Sequence, residues 1–175
     1  MERTEKKINV KKLCAAAMFA ALVCVGTVLI VIPVPMGGFV NFGDCFILVA
    51  AWTLGPFYGF AAGSIGSALA DIFAGYAMYA PATFIIKGLI AVVAAASARA
   101  FVSKKGSKKL GYIIGAVLGE LVMIAGYYLY NALVMGYGFY GAALTLHYDA
   151  IQAAAGVVMS FVLITIIGRV KALRD

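Results

Sequence analysis

The stretch Leu13 to Ile32, LCAAAMFAALVCVGTVLIVI, runs for 20 residues without a charge. At a helical rise of about 1.5 Å per residue it reaches about 30 Å, the thickness of a bilayer's hydrocarbon core. Ile32-Pro33-Val34-Pro35 ends the span, because proline disfavours helix in the residue before it. A lysine-rich start ahead of an apolar run also fits a cleaved leader. Leader cores, however, run only roughly 7–15 residues, and here further apolar spans follow. Composition extends the same conclusion to the whole chain. Of 175 residues, 65% are hydrophobic and 12% charged, and mean hydropathy is +1.03. A soluble domain carries about 25% charged residues. The sequence is that of a single membrane domain over residues 1–175.

A net charge of +7 would suit a nucleic-acid binder, but its placement argues against one. Thirteen of the 14 bases fall in three short clusters, Arg3 to Lys12, Arg99 to Lys109 and Arg169 to Arg174. Basic residues flanking apolar spans mark cytoplasmic membrane ends. The periodicity and breakers predict six transmembrane helices, at approximately 13–32, 44–55, 57–75, 81–99, 110–135 and 148–168. Gly55-Pro56 separates the second from the third, and the second is short enough for a re-entrant hairpin. Pro81 suits the first position of the fourth. Residues 36–41 read as a loop, 103–109 as a basic cytoplasmic turn, and 136–147 as a Gly/Tyr-rich connection. Even numbers of crossings separate the clusters, so the expected fold is an all-α integral membrane protein with both termini cytoplasmic.

A few polar residues remain within the spans: Asp44, Asp71, Lys87, Glu120, His147 and Asp149, with Asn41, Asn131 and Gln152 beside them. A charge at the bilayer centre costs about 2.5–3.5 kcal/mol on insertion scales, so such residues usually have a task. The topology sends most of them to the outer half. Glu120, Tyr127 and Asn131 stand at i, i+7 and i+11, nearly one azimuth of the fifth helix. Simpler roles compete. Asp44 and Asp149 sit where N-caps belong, Lys87 and Glu120 suit a structural ion pair, and His147 sits at a membrane edge where a structural role suffices. No nucleophile elbow, HExxH motif or phosphate loop is present, and Cys14, Cys24 and Cys45 lack metal-site spacing. Neither an enzyme nor a metal or cofactor is expected. Ala16/Ala20 and Ala17/Ala21 on the first helix, Gly59/Gly63 and Gly115/Gly119 are small-xxx-small pairs that permit close helix approach.

Several segments together resemble the substrate-binding S components of energy-coupling factor (ECF) vitamin transporters. They are Val40-Asn41-Phe42-Gly43-Asp44, the run from Gly63 through Asp71 and on from Ala80-Pro81 to Lys87-Gly88, Gly119-Glu120 with Gly126-Tyr127, and Ile151-Gln152 with Gly156. The similarity extends over nearly the whole chain and lies nearest the riboflavin, hydroxymethylpyrimidine and vitamin B6 carriers. It departs at His147-Tyr148-Asp149-Ala150-Ile151-Gln152, where relatives often carry Asn ahead of the Gln.

The resemblance implies a multi-pass protein of a prokaryotic plasma membrane that captures a vitamin or precursor from outside. Its implied partners are a transmembrane coupling subunit and two cytoplasmic ATPase subunits, and release is attributed to toppling of the whole subunit. The expected ligand is a small flat heteroaromatic, a vitamin B6 form such as pyridoxine or a related pyrimidine ahead of riboflavin. Tyr76, Tyr79 and Tyr127 would stack on it, and Asn41, Asp71, Lys87, Asn131 and Gln152 would orient it, with Glu120 and Asp149 completing the set. Ala16 and Ala20 are the expected docking face for the coupling subunit. A self-sufficient porter or channel would use the same intramembrane charges.

Overall fold

The computed structural model describes residues 9–34, 39–103 and 107–169. Most of the first and last basic clusters, the tip of the 103–109 turn and part of the 36–41 loop lie outside the described residues. Among the described residues there are seven helices: α1 (Val10–Val28), α2 (Gly43–Leu54), α3 (Pro56–Phe73), α4 (Ala80–Ser103), α5 (Lys108–Leu133), α6 (Gly138–Ala143) and α7 (Leu146–Arg169). Asn9 caps α1 by accepting the Lys12 N–H at 3.2 Å. Between α1 and α2, β1 (Ile32–Pro33) pairs antiparallel with β2 (Phe39–Val40), the second strand falling within the expected 36–41 loop. The connection before the last helix likewise holds the short α6, and α7 begins at Leu146.

Large apolar side chains face outward, while a cluster of polar and charged side chains is buried beside the apolar core. Leu22, Val25, Phe57, Ile65 and Ile72 are exposed, whereas Asp44, Asp71, Lys87, Glu120, Asn131 and Gln152 are each at most 7% exposed. Only a lipid solvent makes that distribution favourable. Among the described residues, four stretches are long and apolar enough to cross a membrane: Val10–Val28, Ala80–Val102, Lys108–Leu133 and Gly138–Ile167. The all-helical membrane class therefore holds, and length and apolarity by themselves support four of the six expected crossings. With 12 residues, α2 rises about 18 Å, well short of the hydrocarbon thickness.

That short helix sits at the centre of the fold. It packs on α1, α3, α4 and α7, and from Gly43 to Ala51 only Phe46 is less than fully buried. Gly55 turns the chain into α3 with φ at 90°, a backbone angle that costs glycine nothing, and Pro56 then opens the helix. The small-residue pairs close the interior. A Cβ on Gly63 would lie 3.0 Å from the Lys87 carbonyl oxygen, and one on Gly119 would lie 3.1 Å from that of Ile90. These approaches draw α3 and α5 onto α4, and they set the depth of Lys87 between them.

Candidate ligand pocket above a buried ion pair

The end of α3, the starts of α4 and α7, the end of α5 and β2 enclose a cavity at one end of the bundle. Its volume is about 50 Å3. Seven of the ten expected ligand residues line it: Asn41, Asp71, Tyr79, Tyr127, Asn131, Asp149 and Gln152.

Beneath the cavity lies a polar network. Lys87 Nζ is 2.5 Å from Asp44 Oδ1, and the Gln152 amide donates to Asp44 Oδ2 at 2.6 Å. Gln152 Oε1 in turn accepts the Asn41 backbone N–H at 3.0 Å. The Asn41 side-chain oxygen accepts the Gly43 N–H at 2.9 Å. The Met123 sulfur lies 3.3 Å from both Lys87 Nζ and Gln152 Nε2. Residues 41, 44, 87 and 152 thus lock the β2–α2 junction to α4 and α7.

Asp44 corrects two expectations. Phe42, not Asp44, is the N-cap of α2, and it makes no side-chain capping bond. The Asp44 carboxylate is occupied by Lys87 and Gln152, so the structural ion pair of Lys87 is with Asp44 and not with Glu120. Glu120 is 2% exposed and neither of its oxygens has a hydrogen-bond partner. It lies against Gly156, where a Cβ would come within 3.1 Å of Oε1. Lys87 and Glu120 therefore form a layer below the cavity and do not line it.

The walls offer rings and acceptors. Tyr79 OH donates to Asn131 Oδ1 at 3.1 Å, and Thr83 Oγ1 and Tyr127 OH share a bond of 2.9 Å. Lys87 Nζ lies 5.6 Å from the centre of the Tyr127 ring, within cation–π range. Asp71 Oδ2 and Asp149 Oδ2 are buried without hydrogen-bond partners. Asp149 is the fourth residue of α7, so its carboxylate faces the cavity instead of capping the helix. Tyr76 is outside the cavity wall and packs on Phe39, with ring centres 4.8 Å apart. His147 is exposed, its ring beside Tyr148.

Three polar wall residues escaped the sequence reading: Thr83, Thr145 and Tyr148. Thr83 had a signal, since it stands four residues before Lys87 and so shares its helix face. Tyr148 and Thr145 depended on where α7 begins. The site is rich in acceptors with free lone pairs, next to a phenol ring and paired amides. Such a surface can accept hydroxyl or N–H donors, since a buried acceptor left empty costs about 1–3 kcal/mol.

Two comparisons with known proteins bear on this site. A family model described as ECF-type riboflavin transporter, S component, matches residues 7–173. A Pyrococcus woesei protein described as "Uncharacterized protein in gap 3'region" is 38% identical over 139 residues, covering 78% of this chain and 88% of its own length.

Proposed function

Since the chain belongs to the ECF-type riboflavin transporter S component family, we propose that it captures a small, flat, hydroxylated heteroaromatic vitamin or precursor for uptake by an ECF complex. The observation that carries this reading is the cavity flanked by the free oxygens of Asp71 and Asp149, with Tyr127, Asn131 and Gln152 in its walls. The cavity lies at the ends of α3 and α5, whereas Lys11, Lys12, Arg99, Lys108 and Arg169 lie at the opposite helix ends. With the basic end cytoplasmic, the cavity faces outward in the plasma membrane of a prokaryote.

A one-ring ligand of the vitamin B6 or pyrimidine type suits the narrow interior. Riboflavin is the second reading, favoured by the family's description. Both are tested by purifying the protein, releasing bound small molecules and identifying them by mass spectrometry. A one-ring compound with several donors is expected, and its binding should be confirmed by calorimetry. Yellow protein releasing riboflavin establishes the second reading. Vitamin transport by the protein alone in liposomes overturns the S-component mechanism in favour of a self-sufficient porter, which family membership does not favour.

The coupling subunit and its ATPases are the partners this reading requires. Along α1 and α3 runs an apolar groove of about 520 Å3, walled by Ala16, Ala17, Ala20 and Ala21 on one side and Ala61, Ile65 and Leu69 on the other. Ala16 is buried and Ala20 half-buried, while Ala17 and Ala21 are exposed. The docking face we propose is therefore centred on Ala17 and Ala21, one residue round from the expected pair. Ala21→Trp should leave ligand binding within about twofold of wild type, because nothing near the cavity changes. It should abolish co-purification with the coupling subunit and cellular uptake, since close approach needs small side chains. Wild-type uptake by Ala21→Trp would show that this groove is not the docking face.

A further inference from the structure

At the basic end of the bundle, α2, α4 and α5 leave a second cavity of about 380 Å3. One wall is aromatic: the Trp52 and Tyr112 rings stack with centres 4.6 Å apart and planes 13° apart. Arg99 and Lys108 supply positive charge from two different helices, and Lys108 Nζ sits 5.7 Å from the Tyr112 ring centre. The Arg99 guanidinium lies against Gly55, where a Cβ would collide with it, so the α2–α3 turn leaves it room at the cavity. The Trp52 Nε1 donor is buried without a hydrogen-bond partner.

The electrostatics of this corner are one-sided. Lys108 is the first residue of α5, no acid stands in that helix's first turn, and Ser107 makes no side-chain capping bond. The unpaired N–H groups and positive dipole end of the 26-residue α5 therefore add to Lys108 and Lys109 instead of being offset. Among the described residues, the acids Asp44, Asp71, Glu120 and Asp149 all belong to the ligand pocket or the layer below it, and the one ion pair is Lys87–Asp44. Nothing described on this chain neutralises the corner.

We propose that this cavity binds the phosphate of an anionic lipid headgroup. Phosphate matches both the cations and the α5 N-terminus. A lipid source follows from position, because Trp and Tyr concentrate at membrane interfaces and basic pockets between spans hold acidic headgroups. Exposed Val102 continues the cavity wall onto the lipid-facing surface, where an acyl chain can lie.

The test is native mass spectrometry of the intact detergent-purified protein, titrated with phosphatidylglycerol, with phosphatidylcholine of the same acyl chains, and with inorganic phosphate. Phosphatidylglycerol should be retained at least tenfold more strongly than phosphatidylcholine, and millimolar phosphate should not displace it. Arg99→Gln and Lys108→Gln should each weaken retention by roughly fivefold. Lys108 is exposed, so its replacement leaves the fold intact, and ligand binding at the other end serves as the control. Equal retention of both lipids, or unchanged retention by both variants, overturns the proposal. Displacement by inorganic phosphate assigns a free-anion site and overturns the lipid source. Loss of coupling-subunit assembly in Lys108→Gln, with phosphatidylglycerol retention unchanged, overturns it in favour of a protein contact.

Discussion

Lys87→Met is expected to lower stability by about 3–5 kcal/mol and to abolish ligand binding, because it strands a carboxylate that is fully buried. The stranded group is Asp44, whose Oδ1 lies 2.5 Å from Lys87 Nζ. Rescue is therefore expected from Asp44→Asn, which removes the uncompensated charge while keeping an oxygen for the Gln152 amide. Glu120→Gln should not rescue, since Glu120 makes no hydrogen bond to the lysine. Thermal unfolding of the three singles and two doubles in detergent distinguishes the partners. Rescue of Lys87→Met by Glu120→Gln alone would sink the assignment. Binding measured on the stable Asp44→Asn/Lys87→Met protein then asks whether the pair serves only the fold. Because neither residue lines the cavity, part of the affinity should return.

Gln152→Leu should have the next largest effect. One amide holds two elements, accepting from the Asn41 N–H and donating to Asp44 Oδ2. Leucine fills the volume but orphans both groups, each costing roughly 1–3 kcal/mol. Gln152 also lines the cavity, so ligand affinity should fall about a hundredfold, equivalent to roughly 2.7 kcal/mol. Asp149→Asn provides the contrast. Its Oδ2 has no partner in the fold, so stability should stay near wild type while affinity falls. Calorimetry with the compound released from the purified protein, paired with thermal unfolding, reads both quantities. Wild-type affinity in Gln152→Leu would remove the amide from the site, and a large stability loss in Asp149→Asn would make that carboxylate structural.

The sequence by itself determined the solvent, the main helices and the family. Hydropathy is additive along the chain, so Leu13 to Ile32 identifies a membrane helix whatever its neighbours do. The breaks at Gly55-Pro56 and Pro81 are likewise local, because proline and glycine act on their own backbone. Asn41, Asp71, Asn131, Asp149 and Gln152 were legible because polar groups in an apolar span carry a cost that marks them. Tertiary structure alone decided which of these groups meet. Lys87 faces Asp44 on α2 and not Glu120 on α5, Tyr76 packs on Phe39 outside the cavity, and Ala17 is exposed where Ala16 is buried. Each outcome depends on the rotation and depth of one helix against another. One residue turns a helix face by about 100°, and the glycine contacts that set depth join residues distant in sequence, such as Gly63 with Lys87 and Gly119 with Ile90. Periodicity places a side chain on its own helix, whereas the choice of partner is made only when the helices pack.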